Sequence, residues 1–176
     1  TRGGGLDLFN RKDSSFIHFV HDSLDAKSIG SNFITSLTED SKGTLWMASA
    51  DGLLIRYDQK DKVFENVRME SGLMYLFDDF NMPVVYVDSK DVVWYAGVSG
   101  VFRYNKSDKS SRFFSLFPQG EVYSTVWISS VIELDESKLL LASFNRGLFE
   151  LDTETGRVVN YTYNPASPFG INSNML

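Results

Sequence analysis

Gly52-Leu53-Leu54-Ile55-Arg56-Tyr57-Asp58 decides the fold, because the chain repeats its pattern of a glycine, an apolar run and a closing Asp or Asn. It reads again as Gly5-Leu6-Asp7-Leu8-Phe9-Asn10, as Gly100-Val101-Phe102-Arg103-Tyr104-Asn105 and as Gly147-Leu148-Phe149-Glu150-Leu151-Asp152, with glycines spaced 47, 48 and 47 residues apart. A fixed period of this size marks solenoids and propellers. Asp40, Asp88 and Asp135 keep the step at 48 and 47, each after an apolar stretch and before a short polar turn. Trp46, Trp94 and Leu141 repeat it again. Ile29-Gly30-Ser31-Asn32-Phe33-Ile34 returns as Ile171-Asn172-Ser173-Asn174-Met175-Leu176, 142 residues and three periods later.

One period reads as four short strands. Residues 33–38 are apolar and β-branched, 40–43 supply a turn, and 44–49 form a second strand carrying Trp46. Ala50-Asp51-Gly52 turns the chain, with glycine where a positive φ is expected. Strands at 53–57 and 63–67 follow, joined by the polar loop Asp58-Gln59-Lys60-Asp61-Lys62. No stretch carries a helical period with caps. Four antiparallel strands every 47 residues fit a propeller blade better than a solenoid of strand plus helix. The expectation is an all-β, partial β-propeller of four-stranded antiparallel blades, a single fragment over 1–176. Residues 1–20 supply the last two strands of a blade, 33–69, 81–117 and 125–163 three whole blades, and 171–176 the first strand of the next. Propellers need four to eight blades to close, so the chain is expected to be an open arc excised from a larger ring.

With 43% hydrophobic and 14% aromatic residues, 176 residues can bury a substantial core. A net charge of −6 argues against nucleic acid as a partner. No apolar run is long enough for a spanning helix and the first residues do not resemble a signal peptide, so membrane anchoring is expected outside this segment. Without cysteine there are no disulfides, thiolate metal sites or cysteine nucleophiles.

The stretch from Asn32 through Asp40-Ser41-Lys42-Gly43-Thr44-Leu45-Trp46-Met47-Ala48-Ser49 to Asp51-Gly52-Leu53 resembles the two-component regulator propeller repeat. Ser71-Gly72-Leu73, Val84-Val85-Tyr86-Val87-Asp88 and Val92-Val93-Trp94-Tyr95-Ala96-Gly97 resemble it too, with Asp91 where glycine is usual. The third blade departs further, with Leu141 in place of tryptophan and Phe144 where a small residue is expected. The resemblance implies a periplasmic sensing segment of a hybrid two-component histidine kinase, detecting glycan breakdown products and coupled through a homodimer to a kinase beyond these residues. The remaining propeller blades of the parent chain would be its partners.

The aspartates at one place in each blade read as turn caps rather than catalytic groups or cation ligands. Trp46 and Trp94 read as inter-blade core, and Gly52, Gly100 and Gly147 as repeat positions. His18 and His21 lack the setting of a metal pair, so no metal and no cofactor is expected. Asn105-Lys106-Ser107 and Asn160-Tyr161-Thr162 match the glycosylation pattern, as short motifs do by chance. Function is grafted on irregular loops, and the connections between blades share one end with the second-to-third strand turns. Tyr75, Phe77, Asp78, Asp79, Glu121, Tyr123, Trp127, Asn145 and Arg146 are therefore the candidate contacts for an oligosaccharide. No nucleophile, base and orienter set stands at recognisable spacing, so the segment reads as non-catalytic. The alternatives are a propeller-based glycan hydrolase or lyase and a purely structural interaction module.

Overall fold

Alternating apolar runs that end in Asp or Asn form strands and stop at capped turns. The computed structural model describes residues 3–68, 82–98, 100–117 and 126–176, and among them every regular element is a β-strand. Strands β1 (Leu6–Asn10) and β2 (Ser15–Phe19) make a two-stranded sheet. Strands β3 (Ile34–Glu39), β4 (Leu45–Ser49), β5 (Leu53–Asp58) and β6 (Val63–Arg68) make the first four-stranded antiparallel sheet. Strands β7 (Val84–Val87), β8 (Val93–Gly97), β9 (Gly100–Tyr104) and β10 (Ser111–Ser115) make the second. Strands β11 (Ile128–Asp135), β12 (Lys138–Ser143), β13 (Gly147–Asp152) and β14 (Val158–Tyr161) make the third. Each sheet pairs consecutive strands, so the fold is a row of blades in an open arc of a β-propeller.

The closing Asn or Asp of each repeat caps the hairpin that follows. Asn10 accepts the N–H of Lys12, Asp58 those of Lys60 and Asp61, Asn105 that of Ser107, and Asp152 those of Glu154 and Thr155. Four residues after each cap the backbone turns left-handed, at Ser14, Lys62, Lys109 and Gly156. Only the last is glycine. A side chain pays a penalty of about 1–2 kcal/mol there, partly offset by the freedom glycine has when unfolded. Lys62→Gly is therefore expected to stabilise the chain by about 0.5 kcal/mol, read as a higher urea midpoint at unchanged slope.

Three apolar clusters fill the spaces between neighbouring sheets. Leu6 and Phe19 of the first hairpin pack with Ile29, Met47, Ile55, Tyr57 and Phe64. Trp46, Ala48 and Leu54 pack against Val85, Tyr95, Phe102 and Tyr104 of the next sheet. Trp94, Ala96 and Val101 pack against Val131, Leu139, Leu141 and Phe149 of the last. The first strands stand side by side. Thr35 donates to the carbonyl of Pro83 at 2.7 Å, the Val85 N–H reaches Ser36 Oγ at 3.1 Å, and the Glu133 N–H reaches the Tyr86 hydroxyl at 3.2 Å.

Register corrects one expectation. Trp46 pairs with Arg56 and Trp94 with Arg103, each two residues before the capping Asp58 or Asn105. In the last sheet the equivalent partner, Glu150, pairs with Leu140, while Leu141 pairs with Phe149. Leu141 thus stands where Met47 and Tyr95 stand, facing the preceding blade, and Leu140 stands at the tryptophan position. The cause is a turn one residue shorter between Asp135 and the following strand, and a one-residue slip moves a side chain to the opposite face. The small residue of the motif is likewise Ser143, fully buried like Ser49, and not Phe144.

Candidate functional site

Antiparallel order puts the blade-to-blade connections at the same end as the β4–β5 and β12–β13 turns. That end is held by hydrogen bonds that recur 142 residues apart. Gly5 N–H donates to the Asn32 carbonyl and Gly147 N–H to that of Asn174, at 3.0 and 2.8 Å. The side-chain oxygen of Asn32 accepts the His21 N–H and that of Asn174 the Tyr163 N–H, at 2.7 and 2.6 Å. Ser31 and Ser173 accept the N–H of Phe33 and Met175.

Three of the sequence candidates meet there. The Trp127 N–H reaches Asn145 Oδ1 at 3.3 Å, the Trp127 carbonyl accepts the Phe144 N–H at 2.9 Å, and the Arg146 N–H donates to buried Ser143 Oγ at 2.9 Å. The Trp127 side chain is exposed. Tyr75, Phe77, Asp78, Asp79, Glu121 and Tyr123 lie outside the described residues.

The repeated aspartates have different surroundings. Asp40 Oδ1 accepts the N–H of Lys42 and Thr44, and its Oδ2 accepts the Trp46 indole N–H and the Lys106 ammonium, both at 2.9 Å. Burial pushes this carboxyl up, but the indole, the ammonium and the two backbone donors outweigh burial and hold it well below the usual carboxylate range. Asp88 makes the same bonds to Lys90, Val92 and the Trp94 indole. Asp135, with no tryptophan to meet, accepts chiefly from the Ser137 N–H and hydroxyl, with a lesser contribution from the Lys138 N–H. Asp91 adopts a left-handed φ of 63°, where Gly43 in the blade before has 79°. Its carboxylate takes the Lys106 ammonium at 2.8 Å and the Ser41 N–H at 2.9 Å, which ties two blades together. The hydrogen bond from Lys106 is the main cause of its lowered pKa. These carboxylates are engaged in backbone and inter-blade bonds, which suits a scaffold.

Gly52 and Gly147 have positive φ values of 79° and 77°. Gly100 does not share them; there a Cβ would lie 2.2 Å from the Phe113 ring, so close approach excludes a side chain. His18 bonds Asp7 at 2.6 Å on the exposed face of the first hairpin. Among the described residues no group of three or more His, Cys, Asp or Glu could hold a metal ion. The buried Tyr95 hydroxyl has no partner among them either.

Sequence reasoning missed one feature of this end. The residue ahead of the first strand is large, apolar and exposed in three successive blades, as Phe33, Met82 and Trp127, at 44, 62 and 40%, and Met175, outside any strand, is exposed at 71%. Thr35 donates to the Pro83 carbonyl and Ser129 to the Leu176 carbonyl, each at 2.7 Å, within two residues of these positions, which brings Phe33 near Met82 and Trp127 near Met175. The signal was present in the sequence, since each residue but Trp127 directly follows an asparagine: Asn32, Asn81 and Asn174.

Residues 28–51 match the family model of the two component regulator propeller. No curated protein matches the chain in sequence. Among solved structures, the extracellular domain of a B. thetaiotaomicron protein assigned as a hybrid two component system superposes with a TM-score of 0.77 at 15% identity, over 98% of this chain and 22% of that one. An auxiliary nutrient binding protein from Bacteroides thetaiotaomicron superposes with a TM-score of 0.59 at 12% identity, over 92% of this chain and 42% of that one. The chain therefore spans less than half the length of these structures, and at such identities the likeness is one of fold.

Proposed function

We propose that this chain is part of the extracytoplasmic, periplasmic sensing propeller of a hybrid two-component histidine kinase, itself non-catalytic, and that it contributes to glycan detection and to signalling across the membrane. The observation that carries this reading is the two component regulator propeller match at 28–51, in a chain whose fold follows that of an extracellular two-component domain along nearly its whole length. The remaining blades of a parent chain would pack against the faces that carry Phe9 and Phe16 on β1–β2 and Ile132 and Leu134 on β11, which expose about half of each side chain. A homodimer would couple the sensor to its kinase. The ligand contacts are assigned to the connection end, at Trp127, Asn145 and Arg146 together with Tyr75, Phe77, Asp78, Asp79, Glu121 and Tyr123.

A sensor binds without turnover. A thermal-shift screen against mono- and oligosaccharides, with product analysis of the same mixtures, is expected to give a saturable rise in melting temperature and no product, because a ligand of the folded state stabilises it by mass action. Release of a shortened glycan would overturn the non-catalytic reading.

A further inference from the structure

The outer strands of the second sheet carry two arginines on one rung. Arg103 on β9 pairs directly with Arg112 on β10, on the face where Trp94, Val101 and Phe114 meet the last sheet. Each guanidinium lies over an aromatic ring, that of Arg103 at 5.8 Å from the Trp94 centroid and that of Arg112 at 4.6 Å from the Phe114 centroid. Both residues are exposed, and neither makes an ion pair or a hydrogen bond through its side chain among the described residues. Like charges directly opposite on a ladder repel, so the pair costs the blade stability as it stands.

The first sheet shows what fills the same rung elsewhere. There Arg56 pairs with Glu65, whose carboxylate also takes the Lys109 ammonium of the next blade, so an anion lies between two cations. In the second sheet Arg112 stands in place of Glu65. At the position of Lys109 the following blade has Gly156, where a Cβ would lie 3.7 Å from the Phe114 ring. The carboxylate is gone, and glycine leaves room where a lysine side chain would run. Neighbouring carboxylates do not replace it. Asp152 of the facing turn accepts the N–H of Glu154 and Thr155, Asp108 accepts that of Ser110, and Glu154 makes no ion pair with either arginine.

We infer that Arg103 and Arg112 form a binding site for an oxyanion, a phosphate, sulfate or carboxylate group, which occupies the place that Glu65 holds in the first sheet. Guanidinium forks match two oxygens of such a group, and stacking on Trp94 and Phe114 holds the forks in orientation. The net charge of −6 opposes an anion at long range but is screened at physiological salt, so the site selects by contact. It lies one rung from the β9–β10 turn, at the opposite end of the blades from Trp127, Asn145 and Arg146, and is therefore separate from the contacts proposed there.

The test is isothermal titration of the chain with sodium phosphate, sodium sulfate and sodium succinate, each against sodium chloride at matched ionic strength. Saturable binding of at least one is expected, weakened about tenfold or more in Arg103→Gln and in Arg112→Gln, the loss of one charged hydrogen-bonding partner. The anion that binds tightest separates a tetrahedral group from a carboxylate. Arg112→Glu, which copies the Arg56–Glu65 pairing, is expected to abolish binding and to raise the melting temperature in chloride alone, so loss of the site is told apart from loss of the fold. Equal binding by the parent chain and all three variants would overturn the location. No saturable binding of any of the three anions by the folded chain would overturn the inference.

Discussion

Asp40→Ala is expected to lower the unfolding free energy by about 3 kcal/mol, whereas Asp135→Ala, at the corresponding turn two blades on, is expected to cost less than about 1 kcal/mol. The difference lies in what each carboxylate holds. The Asp40 side chain is 3% exposed and serves two backbone N–H groups, the Trp46 indole and the Lys106 ammonium, all of which lose their partner together. Asp135 is a surface cap on Ser137. Urea unfolding of both variants beside the parent chain checks this, and equal losses would mean that the turn alone, and not the bridge to the next blade, carries the effect. Acid adds a second reading of the same residue. Because the folded Asp40 carboxyl titrates below its unfolded value, its stabilisation is complete at neutral pH. It is lost progressively as the pH falls below about 4, towards the folded pKa. Asp40→Asn should therefore lose less stability than the parent chain between neutral pH and about pH 3.

Gly147→Ala is expected to cost about 3 kcal/mol, and Gly43→Ala about 1 kcal/mol, although both glycines have φ near +78°. The shared backbone penalty is the smaller part at Gly147. A Cβ there would sit 2.3 Å from the Tyr161 carbonyl oxygen and 2.9 Å from Ile171 Cδ1, and backbone on the paired strand cannot give way as a side chain can. At Gly43 the nearest atom is the tip of Glu39 at 3.4 Å. For a chain of this size the larger loss would lower the melting temperature by about 10 °C. A matching drop for both variants would show that φ alone, and not the contact with β14, governs the position. Gly5 has the same surroundings, with the Phe19 carbonyl oxygen 2.1 Å from its hypothetical Cβ, so the constraint belongs to the repeat.

The blades were legible because their determinants are local. A glycine that must turn left-handed and an Asp that must cap its own turn leave the same mark in every repeat, so Gly52, Gly147, Asp40 and Asp88 could be found by period alone. The register of the last blade was not legible. Counting from Asp135 puts Leu141 at the tryptophan position, whereas the shorter turn after Asp135 puts Leu140 there, and no residue type marks one missing turn residue. The inter-blade bridge from Lys106 to Asp40 and Asp91 was hidden for a related reason: its partners are 66 and 15 residues away and on different blades. Asp91 in place of glycine was its only visible trace. At the connection end, Trp127, Asn145 and Arg146 were within reach because they flank regular strands. Phe33, Met82 and Met175 escaped notice because an apolar residue beside a strand reads as core until its exposure is known.

Each core cluster draws on two adjacent sheets, and each sheet is wound from consecutive hairpins. Order can therefore spread like a zipper from one unit to the next as the chain emerges from the ribosome, with no closure between remote segments required first. The same arrangement makes the architecture tolerant on an evolutionary scale. A unit of about 47 residues can be duplicated or lost while every surviving interface keeps the neighbours it had, which leaves ring size free to drift and the loops of the connection end free to diversify.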